Sequence, residues 1–132
     1  IGIFPGGTVS TAARPFGPAM DPVWRAFTAR MIQKSGATVV PIWFDGANSR
    51  LFQLASHMNY TLRMALLMHE FRRRVDRPVR LAIGSPITPD QIARAGDGNR
   101  VMDFLRRRTY GLATRPVDPA LLGHEFEARY RN

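Results

Sequence analysis

The chain has 132 residues, no cysteine, a hydrophobic content of 45% and a formal charge of +9. That length fits one compact domain or the larger part of one, and the composition is that of a protein with a buried core. The lack of cysteine excludes disulfides and cysteine-based nucleophiles or metal sites, and no run reaches the ~18 uninterrupted apolar residues of a membrane span. Basic residues outnumber acidic ones 19 to 10, and all of them except Lys34 are arginine. The planar guanidinium fork suits phosphate and carboxylate groups, so a polyanionic partner and an arginine-rich solvated surface both fit.

In chain order, the apolar run Ile1–Phe4 reads as a strand that breaks into a turn at Pro5-Gly6-Gly7. Adjacent N–H groups in such a turn are unshielded by side chains and suit an anionic or carbonyl oxygen, with the Thr8 and Ser10 hydroxyls on either side of Val9. Asp21-Pro22 is read as a helix start with Asp21 as N-cap. Val23, Phe27 and Met31 then recur at helical spacing up to a stop at Gly36, and Trp24, Phe27 and Met31 are expected in the core. Thr38 to Phe44 is a second strand whose Pro41 implies an edge, a bulge or the strand's end. Strand, helix and strand predict a right-handed β-α-β unit with parallel strands.

Asn48 and Ser49 are candidate caps for the stretch that follows, within which a helix is predicted from Asn59 to Arg74. Val79–Ile83 is a third strand. Thr88-Pro89-Asp90-Gln91 is a capping-box start for a short helix ending at Gly96, and Asn99–Arg108 forms another helix. Thr109–Val117 reads as a linker, and Asp118-Pro119 opens at most one short helix. The expected organisation is residues 1–108 as one domain part, with 109–132 as linker and tail.

Phe4-Pro5-Gly6-Gly7-Thr8-Val9-Ser10, followed thirty residues on by Val39-Val40-Pro41-Ile42, resembles the third and fourth sequence blocks of the glycerophospholipid acyltransferase superfamily. Asp21-Pro22-Val23-Trp24, Gly46–Phe52, Leu62–Leu67 and Ile83–Ile87 are similar to its hemolysin-like branch, which includes enzymes acylating ornithine-type and lysolipid acceptors. The resemblance implies an α/β fold, part of a three-layer α/β/α arrangement with a mostly parallel or mixed sheet flanked by helices. It also implies transfer of a fatty acyl group from acyl-CoA or acyl carrier protein, as co-substrate, to a lysolipid or related lipid acceptor, with no bound cofactor or metal. The substrate-binding residues it implies are Phe4, Pro5, Gly6, Gly7, Thr8, Val9, Ser10, Val40, Pro41, Asn48 and Ser49. Gly6 stands where the wider family has Glu, and Val9 where it has a phosphate-binding Arg. These departures shift the expectation from glycerol 3-phosphate acceptors to those of the hemolysin-like branch.

The superfamily's His-x4-Asp pair does not occur: five residues after His57, His69 and His124 stand Leu62, Arg74 and Arg129. No catalytic residue is therefore expected in this chain. Because it opens on Ile1 inside an apparent strand, it reads as the C-terminal part of a longer enzyme whose pair lies upstream. A peripheral position on the membrane, at its cytoplasmic face or in the cytoplasm, follows from a lipid acceptor, and the fragment is expected to self-associate through its uncovered strand.

The three histidines lack metal-ligand spacing and read as surface or packed residues. Arg72–Arg74 and Arg106–Arg108 lie at predicted helix ends, where cations favour the macrodipole; lipid headgroups or coenzyme phosphates are the functional alternative. A basic module binding nucleic acid or an anionic surface is the second reading. Against nucleic acid, the arginine runs lack interleaved aromatics. Against a phosphate loop, neither glycine-rich nucleotide motif occurs.

Overall fold

The structure, a computed structural model, describes residues 1–126. Its elements are β1 (Thr11–Ala12), β2 (Ala19–Met20), α1 (Ala26–Ser35), β3 (Ile42–Phe44), α2 (Arg50–Met58), α3 (Tyr60–Arg74), β4 (Leu81–Ile83), α4 (Pro89–Ala95) and α5 (Gly98–Tyr110). The chain is therefore α/β, with five helices and two short ladders among the described residues. It forms two compact units, one from residues 1–7, 24–45 and 80–121, the other from residues 8–23, 46–79 and 122 onward.

In the first unit β3 and β4 pair antiparallel, Ile42 opposite Ile83 and Phe44 opposite Leu81. The ladder continues on both sides: Asp45 N–H donates to Arg80 O at 2.9 Å, Gly84 N–H to Pro41 O at 2.9 Å, and Val39 bridges Ile87. The parallel pairing expected between the first two apolar runs is absent, since Ile1–Phe4 enters no ladder among the described residues. Pro41 has no N–H to offer a second neighbour and stands just before β3, which fits two of the three positions read from the sequence, the edge and the strand's end, rather than a bulge.

One face of this ladder is covered. Trp43 meets Tyr110 of α5 edge-on at 5.0 Å, and α5 packs on α1 and α4 around Ile32, Ile92, Val101, Met102 and Leu105. The capping box at Thr88 forms as the sequence predicts, with Gln91 returning to the Thr88 N–H. Gly36 closes α1 in the left-handed conformation at φ 59°.

The N-terminus of α1 departs from expectation. The helix starts at Ala26 behind Arg25, which makes no side-chain cap, while the Asp21 carboxylate, in the second unit, accepts from the Ser10 hydroxyl of that same unit. With that later start Trp24 and Ile32 are buried, while Phe27 and Met31 face solvent rather than the core. At the far end α5 continues to Tyr110, into the segment read as linker. Asp118 closes a turn with Ala120 and Leu121 instead of a helix, and residues 127–132 of the tail lie outside the described residues.

The second unit is built from the β1–β2 hairpin, absent from the sequence reading, and from α2 and α3 packed on each other. Ser49 caps α2 by accepting from Phe52 N–H, and Asn59 caps α3 by accepting from Thr61 and Leu62 N–H. The segment after Leu122 lies along the hairpin. Gly123 N–H donates to Asp21 O at 2.8 Å and His124 N–H to Thr11 O at 3.0 Å.

Candidate functional site

The residues singled out by sequence fall in both units: Phe4–Gly7, Val40 and Pro41 in the first, Thr8–Ser10, Asn48 and Ser49 in the second. In the first unit, Phe4 to Gly7 form a turn closed by Gly7 N–H donating to Phe4 O at 3.1 Å. Gly7 sits at φ 67°, which L-residues with a Cβ adopt at a cost of roughly 1–2 kcal/mol, and the space around it is open. The glycine is therefore required by conformation, not by crowding. Gly6 is buried, and its N–H makes no hydrogen bond to another described residue. Pro5 O accepts from Arg25 N–H at 3.3 Å, and the Phe4 ring leans on Phe44 at 6.4 Å. Pro41 is buried beside Gly84, where an added Cβ would lie 2.8 Å from its ring, so Pro41 serves the ladder; Val40 is exposed.

In the second unit Thr8 is exposed, while Val9 and Ser10 are half-buried and held by neighbours. Ser10 donates its hydroxyl to Asp21. Val9 O accepts from the Thr11 hydroxyl at 2.9 Å and from Arg63 Nη2 at 3.3 Å. Arg63 is the centre of a polar cluster that sequence reading missed. It is 3% exposed, donates through Nη1 to Thr11 Oγ1 at 2.9 Å and to Ser56 Oγ at 2.7 Å, and lies over the rings of Phe52 and Phe126. All its partners are neutral oxygens, and burial pushes its guanidinium down from its ordinary value, with Tyr60 opposing. Gln53 joins the same hairpin by accepting from Ala12 N–H at 2.8 Å, yet its Nε2 is buried without a partner.

The spacing that would have revealed the cluster is visible afterwards. Gln53, Ser56 and His57 stand at i, i+3 and i+4 on α2, and Arg63 and Glu70 at i and i+7 on α3, so each helix turns a polar face inward. His57 and His124 pack edge to face at 5.0 Å, and His57 Nε2 makes no hydrogen bond. That is the packed histidine the sequence suggested. Among the described residues no cluster of three or more His, Asp or Glu stands ready to hold a metal, and no helix is long and apolar enough to cross a membrane.

Asn48 is half-buried, and Ser49 proves architectural. Beyond capping α2, its N–H donates to Glu70 Oε2 at 3.1 Å. Burial tends to raise the Glu70 carboxyl, but the hydroxyl and N–H of Ser49, with Arg73 and Arg74, outweigh it and hold the pKa below its ordinary value. A depressed carboxylate pKa adds stability above the unfolded-state value and loses it as pH falls through the folded one. Denaturant midpoints are thus expected to drop on acidification below the usual glutamate range, and Glu70→Gln to remove that part of the slope. An unchanged slope in the variant would show that Glu70 does not carry it.

A search of protein-family models, of curated proteins and of solved structures finds no match to this chain.

Proposed function

We propose that the chain forms the acceptor-side part of an acyltransferase that moves a fatty acyl group from acyl-CoA or acyl carrier protein to a lysolipid or related lipid acceptor. The acceptor hydroxyl or amine attacks the thioester carbonyl, a tetrahedral oxyanion forms, and the carbon–sulfur bond breaks. An imidazole takes the acceptor proton and delivers it to the departing thiolate, held in the right tautomer by a carboxylate. That pair is absent from these residues, and the proposal requires it to be supplied from outside them. What this chain contributes is the turn at Phe4–Gly7, in which Gly7 N–H closes the turn and Gly6 N–H is left to face the developing oxyanion or an acceptor group.

The observation that carries the reading is the left-handed Gly7 in this turn, beside a buried Gly6 whose N–H has no described partner. It gives a physical role to the motif that resembles the family's third block. The proposal extends to the fold: the β3–β4 ladder belongs to a larger sheet in a three-layer α/β/α arrangement. In support, the register puts Ile42, Phe44, Leu81 and Ile83 on one face, and all four are exposed, whereas Trp43 on the other face packs on α5. A bare apolar sheet face is what a missing layer leaves.

The test is an acyl-transfer assay with labelled acyl-CoA or acyl carrier protein and a panel of lysolipid and ornithine-type acceptors. The chain alone is expected to yield no acylated product. Reproducible turnover by the purified chain that His57→Ala or His124→Ala abolishes would contradict the proposed division of labour.

A further inference from the structure

Helix α3 is built inside out. The two of its residues that are fully buried are Arg63 and Glu70, at 3% and 5% exposure, both charged and both satisfied by polar partners. Leu66 and Leu67 are half-buried, but most of its large apolar residues do the reverse. Tyr60, Met64, Met68 and Phe71, continued by Val75 at the C-cap, follow one another at spacings of 4, 4, 3 and 4, which is one stripe of a helix. Met68 is 63% and Phe71 66% exposed. A scattered exposed methionine means nothing, but a contiguous stripe turned outward while charges are turned inward indicates a face covered by a partner.

The charge around the stripe says what kind. Arg72 lies about 80° to one side of it and Arg77 follows, both exposed, while Arg74 on the other flank donates to Ala47 O and faces Glu70. The one carboxylate of α3, Glu70, is buried on another face. A second copy of the chain would bring this surface against its own arginines without an acidic group on the stripe to meet them. An anionic lipid surface accepts both parts, the Met/Phe/Tyr stripe in the acyl boundary and the guanidinium groups at the phosphates. At ~1.5 Å per residue the helix is about 22 Å long, short of the ~30 Å hydrocarbon core, so it lies in the interface.

We infer that the outward face of α3 is a docking surface for an anionic lipid bilayer, with Met64, Met68 and Phe71 inserted and Arg72 at the headgroups. The inference rests on exposure and charge and is independent of the acyl-transfer reading. Binding without catalysis would sustain this surface and leave the other to its own assay.

Co-sedimentation of the full chain with vesicles tests it, using phosphatidylglycerol and phosphatidylcholine in equal parts against phosphatidylcholine alone. Binding is expected only to the anionic vesicles and to weaken with salt. The pair Met68→Ser and Phe71→Ser should reduce affinity by at least about tenfold, and Arg72→Gln by about fivefold. Phe27→Ser, an exposed aromatic in the other unit, should leave it unchanged. Circular dichroism checks that each variant is folded. Equal binding to neutral vesicles, or undiminished binding of the Met68/Phe71 variant, overturns the inference. So does sedimentation velocity showing that those two substitutions dissolve an oligomer in lipid-free solution, which would make a second copy the occupant.

Discussion

Gly123→Ala is expected to strip the segment 122–126 from the second unit. A Cβ built on Gly123 falls 1.9 Å from Met20 O and 2.6 Å from Thr11 O, both backbone atoms of the β1–β2 hairpin. No rotamer change relieves a clash with backbone, so either the hairpin or the segment must move. Moving the segment breaks the bonds from Gly123 N–H to Asp21 O and from His124 N–H to Thr11 O, and lifts Phe126 from the Arg63 guanidinium, now 4.1 Å from its ring. Two part-buried backbone bonds and an aromatic–guanidinium contact together are worth on the order of 3 kcal/mol. Hydrogen exchange at residue 123 and at His124 should accelerate about a hundredfold, while amides of α5 in the other unit keep their protection. Unchanged protection would mean that the segment is held some other way.

Arg63 gives the second large effect, and the choice of replacement decides its size. Arg63→Ala removes three hydrogen bonds and the bulk that fills the space between Phe52 and Phe126, a loss of about 3 kcal/mol by the usual cost of a buried cavity with stranded acceptors. Arg63→Met keeps most of the volume and abolishes a buried charge whose hydrogen-bond partners among the described residues include no carboxylate. Replacing buried ionic groups by well-packed apolar ones is often neutral or better, so the methionine variant should recover most of the loss. Urea unfolding followed by far-UV circular dichroism separates the two, since the tryptophans, Trp24 and Trp43, both report on the other unit. If methionine costs as much as alanine, the hydrogen bonds rather than the volume hold this cluster.

Local signals in the sequence translated well. The Thr88 capping box, the Gly36 stop and the cap at Ser49 each depend on a few adjacent residues, and each stands where the pattern predicted. Non-local pairing did not. Nothing in Ile1–Phe4 says whether that run finds a neighbour, and β3 takes β4 as an antiparallel partner nearly forty residues away. The false start at Asp21-Pro22 has a specific cause. The aspartate is a good cap in isolation, but Ser10 and the backbone of the hairpin claim that stretch, and α1 begins only after Arg25. The helical period of α3 was legible, whereas its orientation was not. An apolar stripe normally faces inward, and only the pairing of Arg63 and Glu70 with Thr11, Ser56 and Ser49 reveals that the polar face took that position. Within the candidate site, the turn at Pro5-Gly6-Gly7 was readable from composition. The roles of Ser10, Pro41 and Ser49 as structural ties depend on Asp21, Gly84 and Glu70, which lie 11 or more residues away in the chain.

The acyl-transfer proposal stands most directly on Gly7. The decisive measurement is the steady-state rate of acyl transfer by a polypeptide that joins these residues to the His-x4-Asp segment the proposal requires, comparing Gly7→Val with Arg73→Ala. Valine at φ 67° strains the turn and puts a branched side chain where nothing now lies within 4 Å, the space a substrate would use. Arg73 is an exposed helix-end cation whose removal is worth under ~1 kcal/mol. The account predicts acylated lipid from the parent and from Arg73→Ala, and at least a tenfold loss of rate in a Gly7→Val protein that remains folded by circular dichroism. No product from the joined polypeptide, or an equal or reversed ranking of the two variants, would contradict it.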